Sequence, residues 1–270
     1  MSLERRLADL RQQISAAAKH KPTDTLARDR VAFAHALGLD LDPWQVKLVR
    51  SKSRRDILNC SRQAGKSTVA ALLALHEAIY VPGSVTVLIS PSQRQSSELF
   101  RKVVELRHQM PYQPDLLEDN RLSMSVRGGG RVLSLPGSEA TIRGISAVTL
   151  LIEDEAARVE DELYQAIRPM LAVKNGRLIL ASTPFGKRGH FWDVWDAGKG
   201  WSKTRIPATK VPRISAGFLE QERLELPRHV FEQEYMCEFA ESTDAVFSYD
   251  DVMRAVRDDV TPLFGGHHDG

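Results

Sequence analysis

Apolar positions along the chain follow two different periods. Leu3, Leu7, Leu10 and Ile14 recur at helical spacing and predict an amphipathic helix over 2–19. Lys21-Pro22-Thr23 breaks it, and a second short helix is expected over 29–37, ending at Gly38. Asp40 to Pro43 reads as a turn into Trp44-Gln45 and a further short helix. From residue 55 the period changes. Short continuous apolar runs, expected as strands at 56–60, 85–90, 148–153 and 177–182, alternate with helical patterns that include 67–80 and 92–110. The helix over 92–110 opens with Ser92 and Gln95 at capping-box spacing and aligns Leu99, Val103, Leu106 and Met110 on one face. A hairpin is expected to join 122–126 with 131–135 across Gly128-Gly129-Gly130.

Apolar strands alternating with helices predict an α/β fold, with a mostly parallel sheet flanked by helices on both faces. After about residue 184 the alternation weakens. Phe185 to Gly189 reads as a loop, followed by 191–196, a strand near 201–206, and helices around 216–226 and 229–239. This stretch is expected to form a small appended subdomain, and the Gly- and His-rich end at 265–270 reads as the start of a linker.

Composition narrows the picture only slightly. The 270 residues are 42% hydrophobic and 27% charged, ordinary for a globular chain, and a net charge of +2 permits a local basic patch without announcing one. Cys60 and Cys237 have no metal-ligand spacing. The amino terminus is charged, and no run reaches the roughly 20 apolar residues of a membrane span, so the chain reads as cytosolic.

The chemistry concentrates at Asn59-Cys60-Ser61-Arg62-Gln63-Ala64-Gly65-Lys66-Ser67, between an expected strand and an expected helix. Strand, turn, Gly-Lys-Ser and helix build a phosphate cradle from successive N–H groups and a helix N-terminus. Lys66 then neutralises β/γ-phosphate charge, and the Ser67 hydroxyl meets Mg2+. Cys60 stands where the usual Walker A pattern has glycine, so this is a deviant P-loop. Gly-Lys-Ser alone is a weak signal, expected by chance in roughly one chain in ten of this length.

The partner acid follows 87 residues after Ser67, where Val148 to Ile152 runs into Glu153-Asp154-Glu155. Asp154 suits the Mg2+ site and Glu155 the polarisation of an attacking water, with acids capping the next helix as the plainer alternative. The run Leu178 to Ala181 ends in Ser182-Thr183-Pro184, hydroxyl residues placed to sense the γ-phosphate. Gln45 carries an amide that can pair with adenine, while Trp44 fits a core anchor better. Arg62 and Arg143 are candidates for transition-state charge, with surface salt bridges as the alternative. Lys47, Arg50, Lys52, Arg54 and Arg55 form a basic cluster that reads first as a solvated face and second as a phosphate contact.

Together these residues resemble the ATPase portion of the large terminase subunit of tailed double-stranded DNA bacteriophages. The resemblance rests on Ser61 to Ser67, Trp44-Gln45, Asp154-Glu155-Ala156, Ser182-Thr183-Pro184, Arg143-Gly144, and Gln233-Glu234-Tyr235 with Glu238-Phe239, spanning about 43–247. It implies an ASCE/RecA-like P-loop NTPase with a small C-terminal lid. The expected division is an N-terminal helical region at 1–42, an ATPase core at 43–184, a lid at 185–247 and a linker at 248–270. It implies ATP and Mg2+ as cofactors, with ATP-driven translocation of double-stranded DNA in the host cytoplasm. A homo-oligomeric ring, usually a pentamer, would work with a portal protein and a small terminase subunit. On this resemblance Gln45 and Ser61 through Thr68 bind nucleotide, Ser67 and Asp154 hold the metal, and Glu155 with Arg143 or Arg62 carries the chemistry. Ser182 and Thr183 couple hydrolysis to motion. The nuclease that the family carries after this region has no counterpart in the residues at the end, so no DNA cleavage is expected. A superfamily 2 helicase-like translocase and a non-hydrolysing assembly module are the alternatives. The first lacks its second RecA-like array after residue 185, and intact Lys66, Ser67, Asp154 and Glu155 disfavour the second.

Overall fold

A computed structural model describes residues 24–136 and 144–240. The expected helix over 2–19, Arg143, and the stretch 248–270 lie outside the described residues. Among those described are strands β1 (Arg55–Cys60), β2 (Val85–Ser90), β3 (Leu116–Asp119), β4 (Ser123–Val126), β5 (Arg131–Pro136), β6 (Leu150–Asp154), β7 (Arg177–Ser182) and β8 (Ser202–Ile206). They form one sheet in the order β3-β4-β5-β2-β6-β7-β1-β8. The pairs from β5 to β8 are parallel, and only the β3–β4 and β4–β5 pairs run antiparallel.

The continuous apolar strands supply two cores at once. Successive residues point to opposite faces, so Ile57, Leu151, Leu178 and Leu180 pack on one side of the sheet. Leu58, Ile152, Ile179 and Ala181 pack on the other. The second face is covered by α2 (Arg30–Ala36), which follows the short α1 (Asp24–Arg28), and by α3 (Pro43–Arg50), α4 (Lys66–Tyr80) and α5 (Gln93–His108). The first lies under α6 (Asp161–Ile167), the 168–171 turn and α7 (Gly189–Ala197). Asp29 caps α2, its carboxylate accepting from Val31 N at 2.8 Å, and Ser92 caps α5, accepting from Gln95 N at 3.3 Å.

Three expectations change. Strand β3 escaped the sequence reading because Glu118 and Asp119 are exposed and break any apolar run, as suits an antiparallel edge. The strand near 201–206 pairs in parallel with β1 and belongs to the main sheet instead of standing apart from it. The helix expected over 229–239 stops early as α9 (Arg228–Glu234), preceded by α8 (Ala216–Glu225). It stops because the carbonyls beyond it are taken elsewhere. Tyr235 O accepts from Ala208 N at 2.7 Å and Cys237 O from Asn59 Nδ2 at 2.9 Å, with Cys237 in the left-handed region at φ 59°.

Strand β7 lies between β1 and β6 in the sheet. The carboxyl ends of these three parallel strands therefore converge on one edge, where a doubly covered α/β sheet binds its ligands.

Candidate nucleotide-binding site

The loop after β1 has the shape its sequence requires. Cys60 is buried, ends the strand, and is absent from the left-handed backbone positions, so its side chain costs nothing there. The left-handed residues are Gln63 at φ 59° and Gly65 at φ 91°. Gly65 is the residue before α4 and its left-handed φ favours glycine; a Cβ here would also lie 2.7 Å from Gln45 Nε2, so that amide would have to shift. Ser61 N donates to Ile206 O at 2.9 Å and Arg62 N to Glu234 O at 3.1 Å, pinning the loop to β8 and α9. Buried Ala64 fills the turn beneath, and Thr68 stands in the first turn of α4. Lys66 is buried at 7% exposure, its Nζ donating to Cys60 O at 3.3 Å and Ser61 O at 3.2 Å. The 15-residue α4 thus directs its N-terminal N–H groups and an ammonium into one cradle.

Strand β6 brings the acids to it. Ser67 Oγ donates to Asp154 Oδ2 at 2.9 Å, while Asp154 Oδ1 is buried without a hydrogen-bond partner. A hydroxyl and a carboxylate with a spare buried oxygen suit a small hard divalent cation that takes its remaining ligands from phosphate and water. Among the described residues no group of three or more His, Cys, Asp or Glu side chains is placed to hold a metal ion. The three consecutive acids separate by environment. Glu153 points away into the core, fully buried, with Oε1 3.1 Å from His190 Nε2. That contact is an ion-pair distance without hydrogen-bond alignment. Burial pushes the Glu153 carboxyl up and the His190 interaction opposes it. Glu155 leaves the strand in the left-handed region at φ 56°. Burial raises its pKa as well, opposed by the Lys66 charge and reinforced by Asp154.

Arg158, which no sequence motif singled out, links these parts. Its Nη1 donates to Glu155 Oε2 at 3.2 Å and to Thr183 Oγ1 at 3.1 Å, and its Nη2 to Glu234 Oε1 at 3.4 Å. Its guanidinium also lies 4.8 Å over the Phe185 ring. Glu234 in turn accepts from Arg62 Nε at 2.6 Å, which raises the Arg62 pKa. Arg62 is therefore ion-paired to α9 while lining the same cavity as Glu155. Ser182 is buried with an unpartnered hydroxyl.

Gln45 is buried with both amide edges engaged. Its Oε1 accepts from Asp42 N at 2.9 Å and its Nε2 donates to Gly65 O at 3.3 Å. In this arrangement the side chain braces the loop with one hydrogen bond at each amide edge. Trp44 is a core residue at 7% exposure. Arg213, also missed, clamps Asp42 with two 2.8 Å hydrogen bonds and donates to Ala64 O at 3.3 Å. The cavity over the loop has a volume of about 550 Å³, and its lining includes Arg62, Lys66, Lys102, Arg158 and Arg213 with Glu155 as the one carboxylate. That volume suits a small-molecule ligand and that charge a polyphosphate.

Comparisons with known proteins identify the family and the fold. The family model described as terminase large subunit, T4likevirus-type, N-terminal, matches residues 57–254. The terminase large subunit of Thermus virus P23-45 is 28% identical over 252 residues, covering 80% of this chain and 52% of the relative. A probable terminase large subunit of Enterobacteria phage P7 is 24% identical over 181 residues, covering 61% and 37%. The chain thus spans about half the length of the first of these relatives and less of the second. In fold it is similar to the large terminase ATPase domain of Thermus phage P74-26, with a TM-score of 0.69, 23% identity, and coverage of 77% of this chain and 98% of that one. It is also similar to the large terminase of a thermophilic bacteriophage in complex with ADP, at a TM-score of 0.59 and 13% identity over 74% and 54%.

Proposed function

Since the chain belongs to the T4likevirus-type large terminase subunit family, matching its N-terminal part, we propose that it binds and hydrolyses ATP as the motor portion of a phage DNA-packaging machine. The observation that carries the reading is the Ser67–Asp154 hydrogen bond at 2.9 Å at the head of α4, with Glu155 next in the chain. Ser67 and Asp154 would hold Mg2+, which would supply charge to offset the phosphates. The α4 N-terminus and Lys66 hold the β- and γ-phosphates, so Lys66 exchanges its two loop carbonyls for phosphate oxygens. Ser61, Arg62, Gln63, Ala64, Gly65 and Thr68 shape and line that cradle. Glu155 accepts the proton of the attacking water, a role worth roughly 10²–10⁴ in rate. Thr183, tied to Glu155 through Arg158, and its neighbour Ser182 couple the γ-phosphate to the β7 exit.

Transition-state charge requires one further cation, worth on the order of 10³–10⁵. Arg62 is held by Glu234, which favours Arg143 supplied by a neighbouring subunit of a homo-oligomeric ring. Double-stranded DNA is the cargo, the portal protein and small terminase subunit are the partners, and the host cytoplasm is the setting. Among the described residues no helix is long and apolar enough to cross a membrane. The helicase-like alternative is not favoured, because the family and curated matches lie with large terminase subunits. Specific ATPase activity measured against protein concentration tests the scheme. It should curve upward for the wild type and lose that curvature in Arg143→Ala. A flat profile insensitive to the substitution would return the catalytic arginine to Arg62.

A further inference from the structure

The end of the sheet opposite the P-loop gathers positive charge that the nucleotide site does not use. A cavity of about 370 Å³ lies at the amino ends of β1, β6 and β7, with Arg30, Lys52, Arg54 and Arg177 in its lining. A second cavity of the same size, on the other side of the β1 start, includes Arg55 and Arg168. The carboxylates at hand are few. Glu77 lines the first cavity, and Asp56 is spent on Arg177 through a buried 2.9 Å ion pair. Six cations against two acids is a marked local excess in a chain whose net charge is only +2.

Several of these cations have spare capacity. Lys52 and Arg54 are exposed and make no ion pair with a described residue. Arg30 has only long contacts, 3.4 Å to Val49 O and 3.6 Å to Glu77, and its Nε is buried without a partner. Burial lowers the pKa of Arg30, Glu77 opposes that and Arg177 adds to it, so an added anion would relieve the site. Arg54, in the bend before β1, lines the first cavity, and Arg55, the first residue of β1, lines the second, so the pair spreads the charge across the sheet edge.

We propose that this basic edge binds phosphodiester groups of double-stranded DNA, gripping the duplex on the side of the sheet away from the ATP site. The choice of duplex rests on the packaging reading; the preference for phosphate rests on the charge and the cavities alone. Phosphate contacts make affinity salt-dependent, each neutralised phosphate contributing a slope of about −0.9 in log K against log salt. The reach of a duplex across both cavities distinguishes it from a free phosphate ion, which needs only one.

The test uses the full chain, a fluorescently labelled duplex, and anisotropy titrations between about 50 and 200 mM salt. Lys52→Glu/Arg54→Glu should weaken binding by about tenfold or more and flatten the salt slope by about two, with basal ATPase activity unchanged. Lys199→Glu/Lys210→Glu, exposed elsewhere, carries the same change of net charge and should have a much smaller effect. Equal losses in both double variants would mean that net charge alone attracts DNA, and would overturn the site. Unchanged affinity and slope in Lys52→Glu/Arg54→Glu would overturn it as well. Inorganic phosphate binding that Lys52→Glu/Arg54→Glu abolishes, with duplex affinity unchanged by the same substitutions, would reassign the cavities to a small anion and reject the duplex. Absence of ATP hydrolysis by the wild type would sink the motor reading while leaving the binding measurement intact.

Discussion

Arg158→Ala removes the side chain that ties Glu155 to Thr183 and Glu234. A hydrogen bond to a charged group contributes roughly 1.5–3 kcal/mol when well shielded. Here the Arg158 and Glu155 side chains are 26% and 27% exposed, so solvent screening reduces the figure. About 1–2 kcal/mol of lost positioning at Glu155 corresponds to roughly a 5- to 30-fold fall in kcat. The pH profile should move as well. Burial already raises the Glu155 pKa, and the Arg158 charge is one of the influences that lower it. Without that charge the pKa rises further, the ionised base is scarcer at any given acidic pH, and the acid limb shifts to higher pH. Arg158→Lys keeps the charge but not the fork, so it should restore the acid limb more fully than kcat. Steady-state ATPase assays across the acidic range measure both quantities. A kcat for Arg158→Ala within twofold of wild type, with an unmoved acid limb, would refute the reasoning.

Two further perturbations follow from the same geometry. Gly65→Ala meets both a left-handed φ of 91° and Gln45 Nε2 at 2.7 Å, so it should cost about 1–3 kcal/mol and weaken nucleotide binding. Gln45→Ala should relieve the clash but not the backbone strain, which a double-variant thermal melt would resolve. Buried His76, in edge contact with Phe33 and with Nε2 3.1 Å from Leu26 O, has its pKa pulled down to about 4 by burial and the nearby Arg30 charge. The folded state prefers neutral His76, so its stability is intact above the ordinary value near 6.5 and is lost as pH falls from there towards about 4. The loss amounts to about 2 kcal/mol between about pH 7 and pH 5. Denaturant midpoints should fall over that window in the wild type and much less in His76→Phe.

The parallel core was legible because β2, β6 and β7 are buried on both faces and so read as largely apolar runs, while β1 showed only Ile57-Leu58 ahead of the Gly-Lys-Ser loop. Strand β8 was visible as a segment, yet its partner was not. Its Ser-Lys-Thr-Arg-Ile alternation identifies a half-exposed strand without saying which edge it joins. The loop and its acids were legible because local order, strand to turn to helix, dictates their chemistry. Arg158 and Arg213 were not, and Glu234 was legible only as part of Gln233-Glu234-Tyr235 without its role, since these roles come from partners up to 172 residues away. Arg158 sits three residues beyond Glu155, and only the left-handed turn at Glu155 brings the two side chains together. Gln45 shows the converse. Its position near the loop was readable, but whether its amide faces a ligand or the Gly65 carbonyl depends on packing that spacing does not encode.

The central claim is that Glu155 performs proton transfer at a site whose binding groups are separate from it. Glu155→Gln keeps the side-chain size and removes the base, so Mg2+-dependent ATP binding and turnover should be measured on the same preparation. The account predicts ATP affinity within about threefold of wild type and turnover lower by about 10²–10⁴. Turnover close to wild type, or a loss of binding as large as the loss of turnover, would contradict it.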